Sequence, residues 1–313
     1  MPRMPPCDDL YRRAVLATAD AGWVKGFVER NGWKLGVGRF VAGPDLETAL
    51  PKLKAIEASG KGVIIDVLGE FVSSEEAARG SAARVAAAVR GAHAAGVEPY
   101  FSVKPTQLGL GVSSGLALEL AEGLARLVGE VGGTMCLDME SSGYVDGTLG
   151  LFLELRRRGH GHVATVLQSY LKRTPADMER LLQEAPRPTL RIVKGAYKES
   201  DAVALRSKRD VDDAFMALVA RGLAGGAHVD VATHDERLLE RALAHVDGAG
   251  LGPEAYGVQM LYGVRPHLQD RLAAAGRPLR LYVPFGDDWY GYYSRRLAER
   301  PANLAFVLRG LFG

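Results

Sequence analysis

Cysteine is nearly absent from this chain: Cys7 and Cys136 are the only two among 313 residues. They stand far apart, with no His or Cys at metal-ligand spacing. Neither a disulfide framework nor a zinc site is expected, and a reducing, cytoplasmic setting fits. Blocks of like charge are missing too. The 39 basic and 37 acidic residues leave a formal net charge of +2, which argues against a nucleic-acid surface. No uninterrupted apolar run reaches the roughly 20 residues that a membrane-spanning helix needs. The stretch Met1 to Asp9 lacks the apolar core of a signal peptide. Low-complexity tracts and motif-level repeats are also absent. What remains is a composition of 47% hydrophobic and 24% charged residues, enough for a large α/β core.

That core announces itself as an alternation of strand and helix. Residues 8 to about 59 read as helical: Val15, Leu16, Ala19, Trp23, Val24 and Phe27 recur at helical spacing. A second helix opens at Pro44-Asp45-Leu46-Glu47 and closes at Ser59-Gly60. From residue 62 onward, short continuous apolar runs follow, the pattern of strands buried on both faces. They cover 62–68, 99–104, 134–140, 162–168, 190–195, 228–233, 257–261 and 279–283, each with a helical pattern behind it. Eight such units over roughly 250 residues predict a (β/α)8 TIM-type barrel, with extra N-terminal helices and a substrate-binding helix after strand 8. The expected division is an N-terminal helical segment, 1–60, and a barrel, 61–313. A doubly wound dinucleotide fold would want a glycine fingerprint after its first strand. Leu68-Gly69-Glu70 is not one, and Gly109-Leu110-Gly111 reads as a loop turn.

Polar residues collect at the C-terminal strand ends, where barrels do their chemistry. Glu70, Lys104, Asp138, Glu140, Gln168, Arg191, Lys194, Thr233, His234, Gln259 and Tyr282 all fall there. Singly each has a bland reading: Lys104 and Asp138 as an ion pair, Asp66 as a satisfied core carboxylate, Thr233 with Glu236 as a helix capping box. Together they predict a polar cup. Strand 8 is expected to end at Pro284 and Gly286, with Asp287 or Asp288 capping the next helix. On that helix Tyr292 precedes Arg295 and Arg296 by three and four residues. Adjacent residues on a helix splay by about 100°, so the two arginines can take one anion from two sides. A guanidinium is well shaped for a carboxylate.

Several of these stretches resemble the FAD-dependent proline dehydrogenase family in its bacterial single-function form. They are Asp66-Val67-Leu68-Gly69-Glu70, Ser102-Val103-Lys104, Leu137-Asp138-Met139-Glu140, Arg191-Ile192-Val193-Lys194-Gly195-Ala196-Tyr197, Ala232-Thr233-His234-Asp235 and Tyr292-Tyr293-Ser294-Arg295-Arg296-Leu297-Ala298-Glu299. The resemblance spans about residues 62 to 303. It implies oxidation of L-proline to Δ1-pyrroline-5-carboxylate with FAD. It implies a carboxylate clamp of Arg295 and Arg296, Lys104 beside it, Asp138 ordering the site, and Tyr197, Leu261, Tyr282 and Tyr292 around the ring. Gln168, Arg191, Val193, Lys194, Gly195, Ala196, Thr233, His234 and Glu299 would serve the cofactor, Glu299 by pairing with a clamp arginine. Gly195 and Ala196 would let backbone approach the flat flavin ring. From Tyr282 to the arginine pair the chain is one residue shorter than the long bifunctional members, and the spacing to Arg295 selects Tyr292 over Tyr293. No residue is assigned as the catalytic base, and no metal is expected.

The resemblance also implies a membrane quinone as electron acceptor and product hand-off to a separate pyrroline-5-carboxylate dehydrogenase. The apolar run 302–313 would suit peripheral contact with the inner face of the membrane, or packing on the barrel. Three other readings stand beside this one. Another flavin barrel, of the methylenetetrahydrofolate reductase kind, would leave the arginine pair unexplained. A Schiff-base lyase would use Lys104 or Lys194 as nucleophile. A barrel kept as a binding module would bury its polar cup to no purpose.

Overall fold

The computed structural model describes residues 22–69 and 71–299. Glu70, the apolar run 302–313 and the expected helical stretch before Gly22 lie outside the described residues, as do the side chains of Trp23, Val24 and Glu299.

Eight parallel strands close on themselves in sequence order: β1 (Gly62–Val67), β2 (Tyr100–Val103), β3 (Thr134–Leu137), β4 (Val163–Gln168), β5 (Thr189–Val193), β6 (His228–Ala232), β7 (Tyr256–Leu261) and β8 (Leu279–Phe285). Their side chains are buried almost throughout, because one face fills the barrel and the other lies under helices. In front of the barrel stand α1 (Gly22–Asn31) and α2 (Leu46–Ala58). After successive strands come α3 (Glu75–Ala94), α4 (Ser114–Glu130), α5 (Val145–Arg157), α6 (Thr174–Glu184), α7 (Lys208–Ala224), α8 (Glu236–Gly248), α9 (Pro266–Ala274) and α10 (Trp289–Glu299). Short side chains start many of these helices. Asp45, Ser74, Ser113 and Ser207 each accept from an otherwise orphaned backbone N–H of the first turn. Between α1 and α2 the chain is not helical throughout, as expected, but loops through a single 3-10 turn, Val37–Arg39.

Two local expectations are corrected. Strand β8 does not stop at Pro284: the proline lies within it, in register with Asp66 of β1. Its carbonyl accepts from Ala42 N at 2.8 Å, so its nitrogen faces that same side, where β7 has already ended opposite Tyr282. No ladder donor is lost, and the strand ends instead at Gly286, whose φ of 134° suits glycine. Helix α8 is capped by Asp235 rather than Thr233. The Asp235 carboxylate accepts from Leu238 N at 3.4 Å, and the Thr233 hydroxyl accepts from Asp235 N at 3.1 Å one turn earlier.

Apart from the barrel core, a second apolar cluster joins the chain's early and late segments. Leu35, Val37, Phe40 and Val41 pack with Leu68 and with Trp289, Tyr292 and Tyr293 of α10. Tyr293 donates to Leu35 O at 2.6 Å, and Trp33 and Trp289 meet with ring centroids 6.1 Å apart. The face of α10 that bears Tyr293 is thereby fastened, which turns its arginines toward the C-terminal side of the barrel.

Candidate active site

At the centre of the C-terminal mouth lie four charges in contact. Lys104, just past β2, donates to Asp66 of β1 at 3.1 Å and stands 3.8 Å from Asp138, just past β3. Asp138 takes most of the remaining donors. Ser102 Oγ reaches its Oδ1 at 2.5 Å, Arg191 Nη1 reaches the same oxygen at 2.6 Å, and Tyr282 reaches Oδ2 at 2.8 Å. Burial alone would push the Asp138 carboxyl up, but the Arg191 and Lys104 charges with these hydrogen bonds hold it below the usual range. Lys104 feels the opposite balance: burial disfavours its charge, and Asp66 and Asp138 outweigh that, so its pKa rises. Asp66, mid-strand and fully buried, is raised chiefly by that burial, which Lys104 only partly offsets. Two carboxylates, an ammonium and a guanidinium thus balance to zero.

Over this floor opens a cavity of about 660 Å³. Gln168, Arg191, Val193, Lys194, Gly195, Ala196, Tyr197, Thr233, His234, Leu261 and Tyr282 line it together with Asp138 and Arg296. The structure therefore brings most of the sequence-derived residues to one place. Arg191 Nη2 and Gln168 Oε1 are buried without a hydrogen-bond partner among the described residues. Gln168 is oriented by its amide nitrogen, which donates to Glu140 O at 3.2 Å. His234 Nε2 accepts from Leu261 N at 2.8 Å, which places the ring proton of the neutral imidazole on Nδ1. Tyr197 is 42% exposed at the cavity rim, yet its phenol is pushed up to about 12, first by partial desolvation of the hydroxyl and then by Glu140 and Asp138, against Lys104 and Arg295.

The two arginines, Tyr292, Lys194 and Gly195 each have further surroundings. Arg296 faces the cavity with its guanidinium 5.1 Å from the Tyr292 ring. Arg295, one helical step round, is exposed and borders a second hollow between α1, α3 and α10. It remains close enough to Tyr197 for its charge to act on that phenol. Tyr292 belongs to the apolar cluster behind α10 and is not among the residues lining the cavity. Lys194 lies between Asp212 and Asp235, 2.6 and 3.0 Å away, and Lys208 pairs with both of the same carboxylates. Gly195 has φ 112°, and the side that a Cβ would take is filled by the Tyr170 ring. Its lack of a side chain thus already serves the protein's own packing.

Sequence reasoning missed Met139, Ala232, Met260 and Arg265 on the cavity wall. Arg265 carried a signal: it precedes Pro266, which disfavours ordinary helical backbone, and it adopts φ 54° while donating to Glu236 at 3.1 Å. Among the described residues no cluster could hold a metal ion, and no helix is long and apolar enough to cross a membrane.

Comparisons with known proteins bear on the family of this chain. A family model described as proline dehydrogenase matches residues 49–309. A proline dehydrogenase of Deinococcus radiodurans is 42% identical over 308 residues, which cover 97% of this chain and 98% of that one. Proline dehydrogenase 2 of Bacillus subtilis is 33% identical over 302 residues, 96% of this chain and 99% of that one. Among solved structures, proline utilization A from Bdellovibrio bacteriovorus, inactivated by N-propargylglycine, superposes with a TM-score of 0.81 at 22% identity. That likeness concerns the fold, and it covers 93% of this chain but 36% of the larger protein. With a family model across most of its length and a full-length relative at 42% identity, the chain belongs to the proline dehydrogenase family.

Proposed function

We propose that this chain oxidises L-proline to Δ1-pyrroline-5-carboxylate, the first step of proline catabolism, with FAD as cofactor and a membrane quinone as the final electron acceptor. Removing a hydride from the carbon beside an amine needs an acceptor that no side chain offers, and FAD supplies it when bound. The observation that carries the cofactor reading is a pair of buried atoms without partners on two residues that line the cavity, a donor on Arg191 and an acceptor on Gln168. A flavin's pyrimidine edge carries both acceptors and an N–H donor, so it would suit both, and burying either atom unanswered is unfavourable. Val193, Lys194, Gly195, Ala196, Thr233 and His234 would hold the rest of the cofactor along β5 and β6.

Proline would lie between that wall and α10. The floor charges cancel, so recognition of the substrate carboxylate falls to Arg295 and Arg296, with Lys104 beneath. For both arginines to share one carboxylate, the Arg295 side chain turns from the second hollow toward Tyr197. Asp138 fixes Arg191, Ser102 and Tyr282 in one arrangement, while Tyr197, Leu261 and Tyr282 shape the ring pocket and exclude water, and Tyr292 contributes from behind through its contact with Arg296. Glu299 is proposed as an ion-pair partner of the clamp. We place the domain boundary near residue 60, just before β1. Product hand-off to a separate pyrroline-5-carboxylate dehydrogenase and peripheral contact at the inner membrane face complete the reading.

The lyase alternative fares worse. Schiff-base formation needs a neutral amine, and both candidate lysines are held by carboxylates, Lys104 by Asp66 and Lys194 by Asp212 and Asp235. The deciding experiment is the visible spectrum of the purified protein before and after anaerobic addition of proline. A flavin spectrum bleached by L-proline and not by D-proline is expected. A flavin that stays oxidised, or a protein that takes up no FAD, would overturn the reading.

A further inference from the structure

From the cavity wall, where Gln259 lies beside Arg191, a file of polar side chains continues down the inside of the barrel. Arg191 of β5 donates from Nε to Gln259 Oε1 of β7 at 2.5 Å. Gln259 donates from Nε2 to the Tyr100 hydroxyl of β2 at 3.4 Å. Tyr100 in turn donates to Asp230 Oδ2 of β6 at 3.3 Å. Asp230 lies 3.4 Å from His228, near the opposite mouth. Arg191, Gln259, Tyr100 and Asp230 are each at most 5% exposed.

We propose that Gln259, Tyr100 and Asp230 are positioning residues that aim the Arg191 guanidinium into the cavity. The argument begins with geometry. A guanidinium is a rigid plane with five N–H donors in fixed directions. Held at one nitrogen it can swing; held at two it cannot. Asp138 holds Nη1 and Gln259 holds Nε, so the plane is set and the direction of Nη2 follows. That third nitrogen is the one without a partner among the described residues.

The second part of the argument concerns direction. An amide can present either its oxygen or its NH2 to Arg191, and the two ends have nearly the same shape. Only the oxygen serves, since an NH2 would set donor against donor. Asp230 settles the choice from two residues away along the file. A carboxylate accepts, so the single Tyr100 proton goes to Asp230. The Tyr100 oxygen must then accept, so Gln259 turns its NH2 toward Tyr100 and its carbonyl toward Arg191. Residue 257 supports the same design. Gly257 lies in register with Asp230 on the neighbouring strand, and any Cβ there would collide with Asp230 Oδ1. The barrel wall is thinned where the carboxylate needs room.

The consequence for catalysis rests on the proposed role of Arg191 at the flavin; the strut itself does not. The test uses the full-length, FAD-loaded enzyme with Tyr100→Phe, Asp230→Leu and Asp230→Asn. Nitrogen-15 labelling of arginine gives the Arg191 Nε–H signal, assigned by its loss in Arg191→Lys. In Tyr100→Phe and Asp230→Leu its exchange with solvent should quicken by about tenfold or more, the worth of one buried hydrogen bond. Asp230→Asn keeps an acceptor oxygen and should restore most of the protection. The flavin absorption bands should shift in the first two variants, and kcat should fall with little change in KM for proline. An unchanged Nε–H signal in both variants would overturn the proposal and leave three ordinary core residues. Faster exchange with unmoved flavin bands would uphold the strut and refute the role of Arg191 at the cofactor. Tyr100→Phe deletes one hydroxyl without changing shape, so it decides the matter alone if Asp230→Leu fails to fold.

Discussion

Asp138→Asn is the sharpest single perturbation of the floor. The side chain keeps its shape and loses its charge. In the parent, Arg191 lies 2.6 Å and Lys104 3.8 Å from the carboxylate. At an effective dielectric of about 20 those separations correspond to roughly 6 and 4 kcal/mol of gross attraction. Lys104 keeps Asp66, at 3.1 Å. Arg191 has no second carboxylate within ion-pair distance among the described residues. Breaking a buried pair by removing one partner typically destabilises by about 3–5 kcal/mol, and Asn is expected near the lower end because one oxygen still accepts. Its new NH2 must also face a donor, either Tyr282 on one side or Ser102 and Arg191 on the other.

Calorimetry of parent and variant should show the melting temperature lowered by roughly 5–15 °C. The pH dependence follows from linkage. Asp138 is held below its ordinary value in the folded state, so its stabilisation is complete above about pH 4 and is lost as pH falls through the folded pKa. The gap between parent and variant should therefore be widest near neutrality and close in acid. A variant as stable as the parent at pH 7, or a gap that widens on acidification, would refute the account of the floor.

Three further outcomes are expected. Arg296→Met and Arg295→Met should each raise KM for proline by about ten- to a hundredfold, the worth of a charge-assisted hydrogen bond of about 1.5–3 kcal/mol, with flavin still bound; unchanged proline kinetics would remove that residue from the clamp. Gly195→Ala places a side chain at φ 112° against the Tyr170 ring and should destabilise by roughly 1–3 kcal/mol, with poorer FAD retention on gel filtration; normal melting and retention would show that the loop yields freely. Borohydride with proline or product should trap no covalent adduct on Lys104 or Lys194, as mass spectrometry of the intact chain would reveal, because both amines are held by carboxylates.

The barrel was legible because parallel strands buried on both faces write themselves as short apolar runs, and eight such runs leave few architectures. The strand ends were legible as a set of polar residues, and most of that set does line one cavity. Pairing was harder to read. Nothing in the spacing of Asp66 and Lys104 says that the carboxylate of one strand meets the ammonium of the next. Gln259, Tyr100 and Asp230 lie on three different strands, so their file exists only once the barrel closes. Pro284 misled because a missing donor matters only where a neighbouring strand is present to accept it. Thr233 misled because Asp235, two residues on, stands nearer the orphaned N–H groups of α8. The two arginines show the limit of helical spacing: it gives their angular separation, not the rotamers that send one into the cavity and the other beside it.

With the proposed clamp on α10, the seam behind that helix makes substrate affinity a property of distant sequence. Leu35, Val37 and Phe40 touch neither cavity nor floor, yet they seat Trp289, Tyr292 and Tyr293, and the pitch of that helix decides where Arg296 points. A selection for altered proline affinity would then return changes some 250 positions away from the clamp as readily as beside it.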